Sequence, residues 1–223
     1  MVEIKQYLLR PTALIPNSPY PLLHYRGCIS ADSASIATKF YDRLSDNGWQ
    51  AQWIFRYAQT QQSHYHSAAH ECMVVLTGSA TIRFGVADTA DDMSENTYGD
   101  GKEDGGVELY AQAGDVFIIP AGVAHKTFDP TADALTDPEF KLLTPGDGHS
   151  LPADIRSKLD GIELKGFTMM GSYPENGGTW DFAVGGEGAA AYAKVWAIPA
   201  PELDPMLGKS KEGLCTLWNE NLR

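Results

Sequence analysis

His64 and His66 flank a single residue, and two further groups able to ligate a metal, Glu71 and His125, follow them in the chain. Imidazole nitrogens with a carboxylate oxygen make a donor set suited to a divalent transition metal. In a strand, side chains alternate between faces, so His64 and His66 point one way and Tyr65 the other. Glu71 and His125 must then arrive from other strands. A small antiparallel barrel permits this, because its inward faces converge on a common axis. His70 competes with Glu71 for the fourth place. Strand alternation turns His70 outward if Glu71 faces inward, whereas a helical turn over 67–69 would place His66 and His70 on one face. The expected ligand is Glu71, with His70 supporting it or lying at the surface.

Several stretches could position these groups. Gln52–Tyr57 alternates, with Trp53, Phe55 and Tyr57 sharing a face as core or as the wall of a pocket. Glu71–Leu76, a turn at Gly78 and Ala80–Phe84 suggest a hairpin. Val107–Tyr110 and Val116–Ile119 suggest two more strands joined by a turn at Ala113–Asp115, after which Pro120-Ala121-Gly122 bends the chain so that His125 can enter the interior. Proline-separated runs at Gln6–Leu9 and Leu22–Tyr25 predict edge strands, and His24 among them is expected to be structural. Ile36, Phe40 and Leu44 recur every four residues, predicting an amphipathic helix within Ala31–Asn47, capped by Ser30 or Asp32 and stopped at Gly48.

The remaining segments are less regular. Residues 86–106 concentrate seven acids among glycines and polar residues, predicting a mobile, solvated loop rather than a calcium site. Residues 129–164 are expected to form an insertion with a short helix at Ala153–Leu159 and an exposed His149. Gly166–Met170 is strand-like, Glu187–Trp196 could be a short helix, and the apolar Leu214, Leu217 and Trp218 are expected to dock a C-terminal tail, 186–223.

Composition narrows the function. Seventeen Lys plus Arg against 29 Asp plus Glu give a net charge of −12, which disfavours nucleic acid and anionic membrane surfaces as partners. Three cysteines, Cys28, Cys72 and Cys215, suit a reducing compartment better than a disulfide scaffold. With no apolar run near membrane-span length, a cytoplasmic protein is expected.

The motif His64-x-His66, Glu71, Gly78, followed by Gly114, Pro120-x-Gly122 and His125, resembles the two-part signature of the cupin superfamily. Ala58 stands where the first motif usually has Gly and Asp129 where the second usually has Asn; neither position is a ligand in the family. The region of Tyr173-Pro174, Trp180-Asp181 and Asp204-Pro205 is similar to the tail of a poorly characterised group of small single-domain cupins of bacteria and filamentous fungi. The resemblance implies an all-β, antiparallel jelly-roll barrel with a few short peripheral helices. It also implies one domain over 1–223, made of N-terminal strands and helix at 1–48, barrel core at 49–128 and 165–185, and the acidic loop, insertion and tail already described. It further implies a three-histidine, one-carboxylate site of His64, His66, Glu71 and His125, and pairing into a homodimer.

A divalent Fe, Mn, Ni, Zn or Cu ion suits that ligand set, and calcium or magnesium does not. The leading expectation is a metal-dependent oxidoreductase of dioxygenase type acting on a small molecule. A non-redox isomerase or dehydratase and a metal-containing binding module are the rivals. Tyr57, Lys126, Tyr173 and Asp181 are candidates for acid–base work by residue type; Lys126 is expected to point away from the metal, the other three rest on the resemblance to the subgroup, and none is singled out as catalytic.

Overall fold

A computed structural model describes residues 2–131 and 139–220. Met1, 132–138 of the expected insertion and 221–223 of the tail lie outside the described residues. In chain order the elements are β1 (Glu3–Tyr7), β2 (Leu22–Arg26), α1 (Ile36–Asp46), β3 (Trp49–Arg56), β4 (Glu71–Thr77), β5 (Ser79–Phe84), α2 (Met93–Tyr98), β6 (Val107–Gln112), β7 (Val116–Ile119), β8 (His125–Phe128), β9 (Lys141–Leu142), a 3-10 helix (Ile155–Gly161), β10 (Thr168–Pro174), α3 (Ala189–Trp196) and α4 (Leu214–Glu220). The strands make two sheets of order β1-β2-β7-β4-β10-β3-β9 and β6-β5-β8, with every pairing antiparallel. This is the all-β jelly-roll arrangement expected, with short helices at its periphery.

Strand β4 explains how the chain sorts its side chains. Its residues from Glu71 to Leu76 are buried, and their alternation sends Cys72, Val74 and Leu76 into one apolar cluster and Met73 and Val75 into another. The second cluster fills the space between the sheets with Ile82, Phe84, Phe117, Met169 and Tyr173. The first lies beneath α1, the 3-10 helix and the tail, where Leu214 and Trp218 are fully buried. The described part of the tail therefore docks on its own chain, one of two possibilities, the barrel or a partner subunit, that its apolar residues leave open.

The expected hairpin of Glu71–Leu76 and Ala80–Phe84 does not form. β4 pairs with β7 and β10, and β5 pairs with β6 and β8, so the turn at Gly78 carries the chain from one sheet to the other. A run buried on both faces needs a partner along each edge, and β7 and β10 supply them. Gly78 has a φ of 72°, and a Cβ there would lie 2.4 Å from the Gly166 carbonyl oxygen, so the corner requires glycine. The turn before Asp115 likewise joins strands of different sheets.

Other expectations are corrected locally. Helix α1 begins at Ile36, preceded by Ser35 in the left-handed region with no side-chain cap, so neither Ser30 nor Asp32 caps it. The acidic stretch is a folded, packed segment rather than a solvated loop. Asp92 caps α2 by accepting from the Glu95 amide, Arg83 donates to the Asn96 and Thr97 carbonyls, and Glu103 accepts from Thr12 and the Leu14 and Ala87 amides. Asp88 pairs with the buried ammonium of Lys126 at 3.0 Å. Four of its seven acids, Asp88, Asp92, Glu95 and Glu103, have specific partners, several of them distant in the chain, which supply ordering energy that composition alone does not reveal. Within 129–164, β9 adds an edge to the larger sheet beside β3.

Candidate metal centre

His64 and His66 sit outside the regular strands. The His64 amide donates to the His125 carbonyl (3.2 Å) and the His125 amide to that of His64 (2.8 Å), an isolated antiparallel bridge that sets the two imidazoles side by side. Tyr65 bridges to Ala183 on the opposite side, its hydroxyl donating to Glu187 at 2.7 Å. The alternation is thus real, but single bridges rather than a continuous strand maintain it. The three imidazoles present ligand nitrogens within 4.8 Å of one another.

Backbone carbonyls orient all three rings. Nδ1 of His64 lies 3.1 Å from the Gln62 oxygen, Nδ1 of His125 3.3 Å from the Val123 oxygen, and Nδ1 of His66 2.5 Å from the Asp181 oxygen. A carbonyl only accepts, so each Nδ1 carries the hydrogen and each neutral ring keeps its lone pair on Nε2. Glu71, the first inward residue of β4, brings Oε1 to 3.2 Å from His66 Nε2 and Oε2 to 3.3 Å from His125 Nε2. The Tyr173 hydroxyl donates to Oε1, whereas the buried Oε2 has no hydrogen-bond partner.

This arrangement supplies the fit test for a cation. Nε2 lone pairs and carboxylate oxygens, all acceptors, face one another in a site where Glu71, His66 and His125 are almost wholly buried. A proton, a donating water or a metal ion would satisfy them, and the convergence of three imidazoles suits the metal. Burial lowers the His125 pKa to about 4 and, reinforced by the neighbouring imidazoles, holds that of His64 well below its ordinary value. At His66 burial acts in the same direction, but the adjacent Glu71 carboxylate outweighs it and raises the pKa. Burial alone would raise the Glu71 pKa; the nearby imidazoles and the Tyr173 hydroxyl instead hold it at about 2. The donor set fits a divalent transition ion.

His70 is not part of the cluster. One residue before Glu71, it points to the other side of the sheet, where Nδ1 accepts from the Ala121 amide (2.9 Å) and Nε2 donates to the Pro199 carbonyl (3.1 Å). It packs against Trp218 and Tyr20, so it is buried beneath the tail rather than at the surface. Lys126 points away toward Asp88, as expected. His24 accompanies Asp115 at 3.1 Å, a structural pair. Cys72 lies on the α1 side of β4 and, deprotonation being opposed by burial, is no nucleophile for this site.

Three consecutive residues close over the cluster. Phe182 stacks on His64 with ring centroids 4.0 Å apart, and Trp180 lies 5.5 Å from His66. Between them the Asp181 carboxylate accepts from the Ser67 amide (2.6 Å) and hydroxyl (2.7 Å) while its carbonyl holds His66. Asp181 and Tyr173 stand out in the sequence only by type, since nothing local reveals that they meet His66 and Glu71. Tyr173 is itself held by the Trp53 indole N–H, which donates to its oxygen at 3.2 Å. Tyr57 is buried in the same interior, close enough for the Glu71 charge to add to the upward shift that burial gives its pKa. The exposed His149 stacks on Trp180 at 4.1 Å, so the 129–164 stretch reaches the rim.

Residues 60–135 match the family described as Cupin, and the likeness to cupins read from the two motifs stands. Over 222 residues the chain is 26% identical to an uncharacterized protein, YjlB, of Bacillus subtilis (strain 168), covering 97% of both chains. Among solved structures it is similar to the capsular polysaccharide assembling protein CapF from Staphylococcus aureus (11% identity, 78% of this chain and 28% of that one, TM-score 0.27). It is also similar to the Lactobacillus farciminis oxalate decarboxylase (12% identity, 81% and 33%, TM-score 0.28). The chain spans about a third of the length of these solved structures, and scores at this level say nothing about its chemistry.

Proposed function

We propose that the protein is a metal-dependent enzyme acting on a small organic molecule, an oxygenase of dioxygenase type. The observation that carries this reading is the set of three imidazoles, each with Nδ1 at a backbone carbonyl and with ligand nitrogens within 4.8 Å of one another, beside a Glu71 whose unpartnered Oε2 lies 3.3 Å from His125 Nε2. His64, His66, His125 and Glu71 would hold the ion, with the chain 1–223 serving as one unit around it. An Fe or Mn ion would supply dioxygen chemistry there, and Zn, Ni or Cu the polarisation of a substrate oxygen.

The chain's own contribution is orientation and exclusion of water. Tyr173 occupies Oε1 of Glu71 and leaves Oε2 for the ion, while Trp180 and Phe182 screen the histidines from solvent. We further propose a cytoplasmic homodimer without nucleic-acid partners; among the described residues no helix is long and apolar enough to cross a membrane.

A second reading is favoured by Tyr173, whose hydroxyl holds a proton between Glu71 and His66 Nε2, 3.5 Å away. A non-redox isomerase or dehydratase would use such a group to deliver a proton to a substrate oxygen. Oxygen uptake by the iron-loaded protein with aromatic and ketone substrates separates the two. The oxygenase reading predicts uptake that is stoichiometric with product; turnover at an equal rate under nitrogen would overturn it.

A further inference from the structure

Behind the metal centre, on the side of β4 that faces away from Glu71, lies a cleft of about 570 Å³. Its volume falls within the roughly 300–1,000 Å³ typical of small-molecule pockets. Four separate stretches line it: the turn from α1 into β3 (47–49), the segment between His66 and β4 (68–70), the turn after β10 (174–178) and the stretch of the tail that follows α3 (198–203).

These walls are braced against one another. The Trp49 indole N–H donates to the Leu203 carbonyl (2.9 Å), His70 Nε2 to that of Pro199 (3.1 Å), and the Glu175 amide to that of Gly48 (2.9 Å). The turn after β10 approaches so closely that a Cβ at Gly178 would lie 2.2 Å from the Ala68 carbonyl oxygen. Such a cleft is held open before any ligand arrives, which lowers the entropic cost of binding.

The lining is mainly apolar, with Trp49, Ile198, Pro201 and Leu203 among its residues, and its ionisable side chains are Glu175, Glu202 and His70. His70 is neutral, since one ring nitrogen accepts and the other donates. Both glutamates are exposed, and among the described residues neither carboxylate has a hydrogen bond or an ion pair. The cleft thus combines an apolar body with two unneutralised negative charges and no positive one, in a chain of net charge −12.

We propose that this cleft is a second binding site, separate from the metal centre, for a small organic cation: an ammonium or guanidinium group carried on an apolar body. The apolar part lies against Ile198, Leu203 and the prolines, and the cationic head meets Glu175 and Glu202 at the rim. Exposed ion pairs contribute modestly, so the carboxylates set which sign of charge is accepted while apolar burial supplies most of the affinity.

Calorimetric titration of the full chain with 4-phenylbutylammonium, and with 4-phenylbutanoate as its anionic counterpart, tests this. One saturable site is expected for the ammonium, with binding at least tenfold weaker for the carboxylate. The Glu175→Gln/Glu202→Gln double variant, both positions being exposed, keeps its melting temperature and weakens the ammonium by roughly tenfold. Absence of saturable binding, equal binding of the two probes or unchanged binding in the double variant would each overturn the proposal. None of these outcomes depends on which metal, if any, occupies the histidine cluster.

Discussion

Two buried carboxylates, Glu71 and Asp204, sit in opposite kinds of surroundings. Asp204 accepts from the Tyr25 hydroxyl and from the backbone amides of Met206, Leu207 and Leu214. Every neighbour is a donor, and the group fastens the C-terminal tail to β2. Glu71 accepts from Tyr173 at Oε1, which also meets His66 Nε2 at 3.2 Å, and its other oxygen has no hydrogen-bond partner and faces His125 Nε2 at 3.3 Å. A carboxylate ringed by donors is finished by folding; one ringed by acceptors is finished by a cation. His24 with Asp115 shows the same contrast, because Asp115 also accepts from the Gly27 and Gln112 amides, so that histidine–carboxylate pair completes itself within the protein.

The contrast is broken most severely at the ligands. In a His64→Ala/His66→Ala double variant, metal per chain measured by elemental analysis falls from about one to near zero. The loss in affinity exceeds the roughly 10- to 100-fold that follows loss of an orienting partner. Circular dichroism stays native. At the other carboxylate, Asp204→Asn costs about 2–4 kcal/mol in urea unfolding while metal content is unchanged. A result in which Asp204→Asn strips the metal and spares stability would erase the distinction between the two regions. Asp181→Ala releases Ser67 and loosens the backbone that holds His66, so affinity falls about 10- to 100-fold with little change in unfolding.

The smallest effect concerns acidity. His70 titrates at about 4 in the folded chain because burial opposes its charge, against roughly 6.5 when unfolded. The unfolded state therefore binds the proton first. The contribution of His70 is complete above about pH 6.5 and is lost as the pH falls toward 4, amounting to about 1 kcal/mol between pH 7 and 5.5. Chelator-treated wild type should lose this increment relative to His70→Gln in urea titrations at the two pH values; parallel losses in both proteins would show that His70 stays uncharged for another reason.

Much of this was legible beforehand, for reasons that differ by region. Side-chain period alone puts His64 and His66 on one face, and the expectation of Glu71 over His70 follows from the parity of β4; His70 lies on the other side of the sheet, under the tail. The corner at Gly78 was not legible. A short apolar run, a glycine and another apolar run describe a hairpin and a sheet-to-sheet crossing equally well, and the partners that decide, β7 and β10, lie far along the chain. The acidic stretch misled for a related reason: Asp88 looks solvated until Lys126 is seen against it. Asp181 and Tyr173 were visible as residue types, while their roles depend on contacts spanning 115 and 102 residues.

The central claim is that His64, His66, His125 and Glu71 form one metal centre. Anomalous diffraction at the absorption edge of the metal found in the purified protein tests it most directly. The account predicts one peak per chain, bonded to Nε2 of all three histidines at about 2.0–2.2 Å and to Oε2 of Glu71. A metal-loaded crystal with no peak among these residues, or with the ion bound elsewhere in the chain, would contradict it.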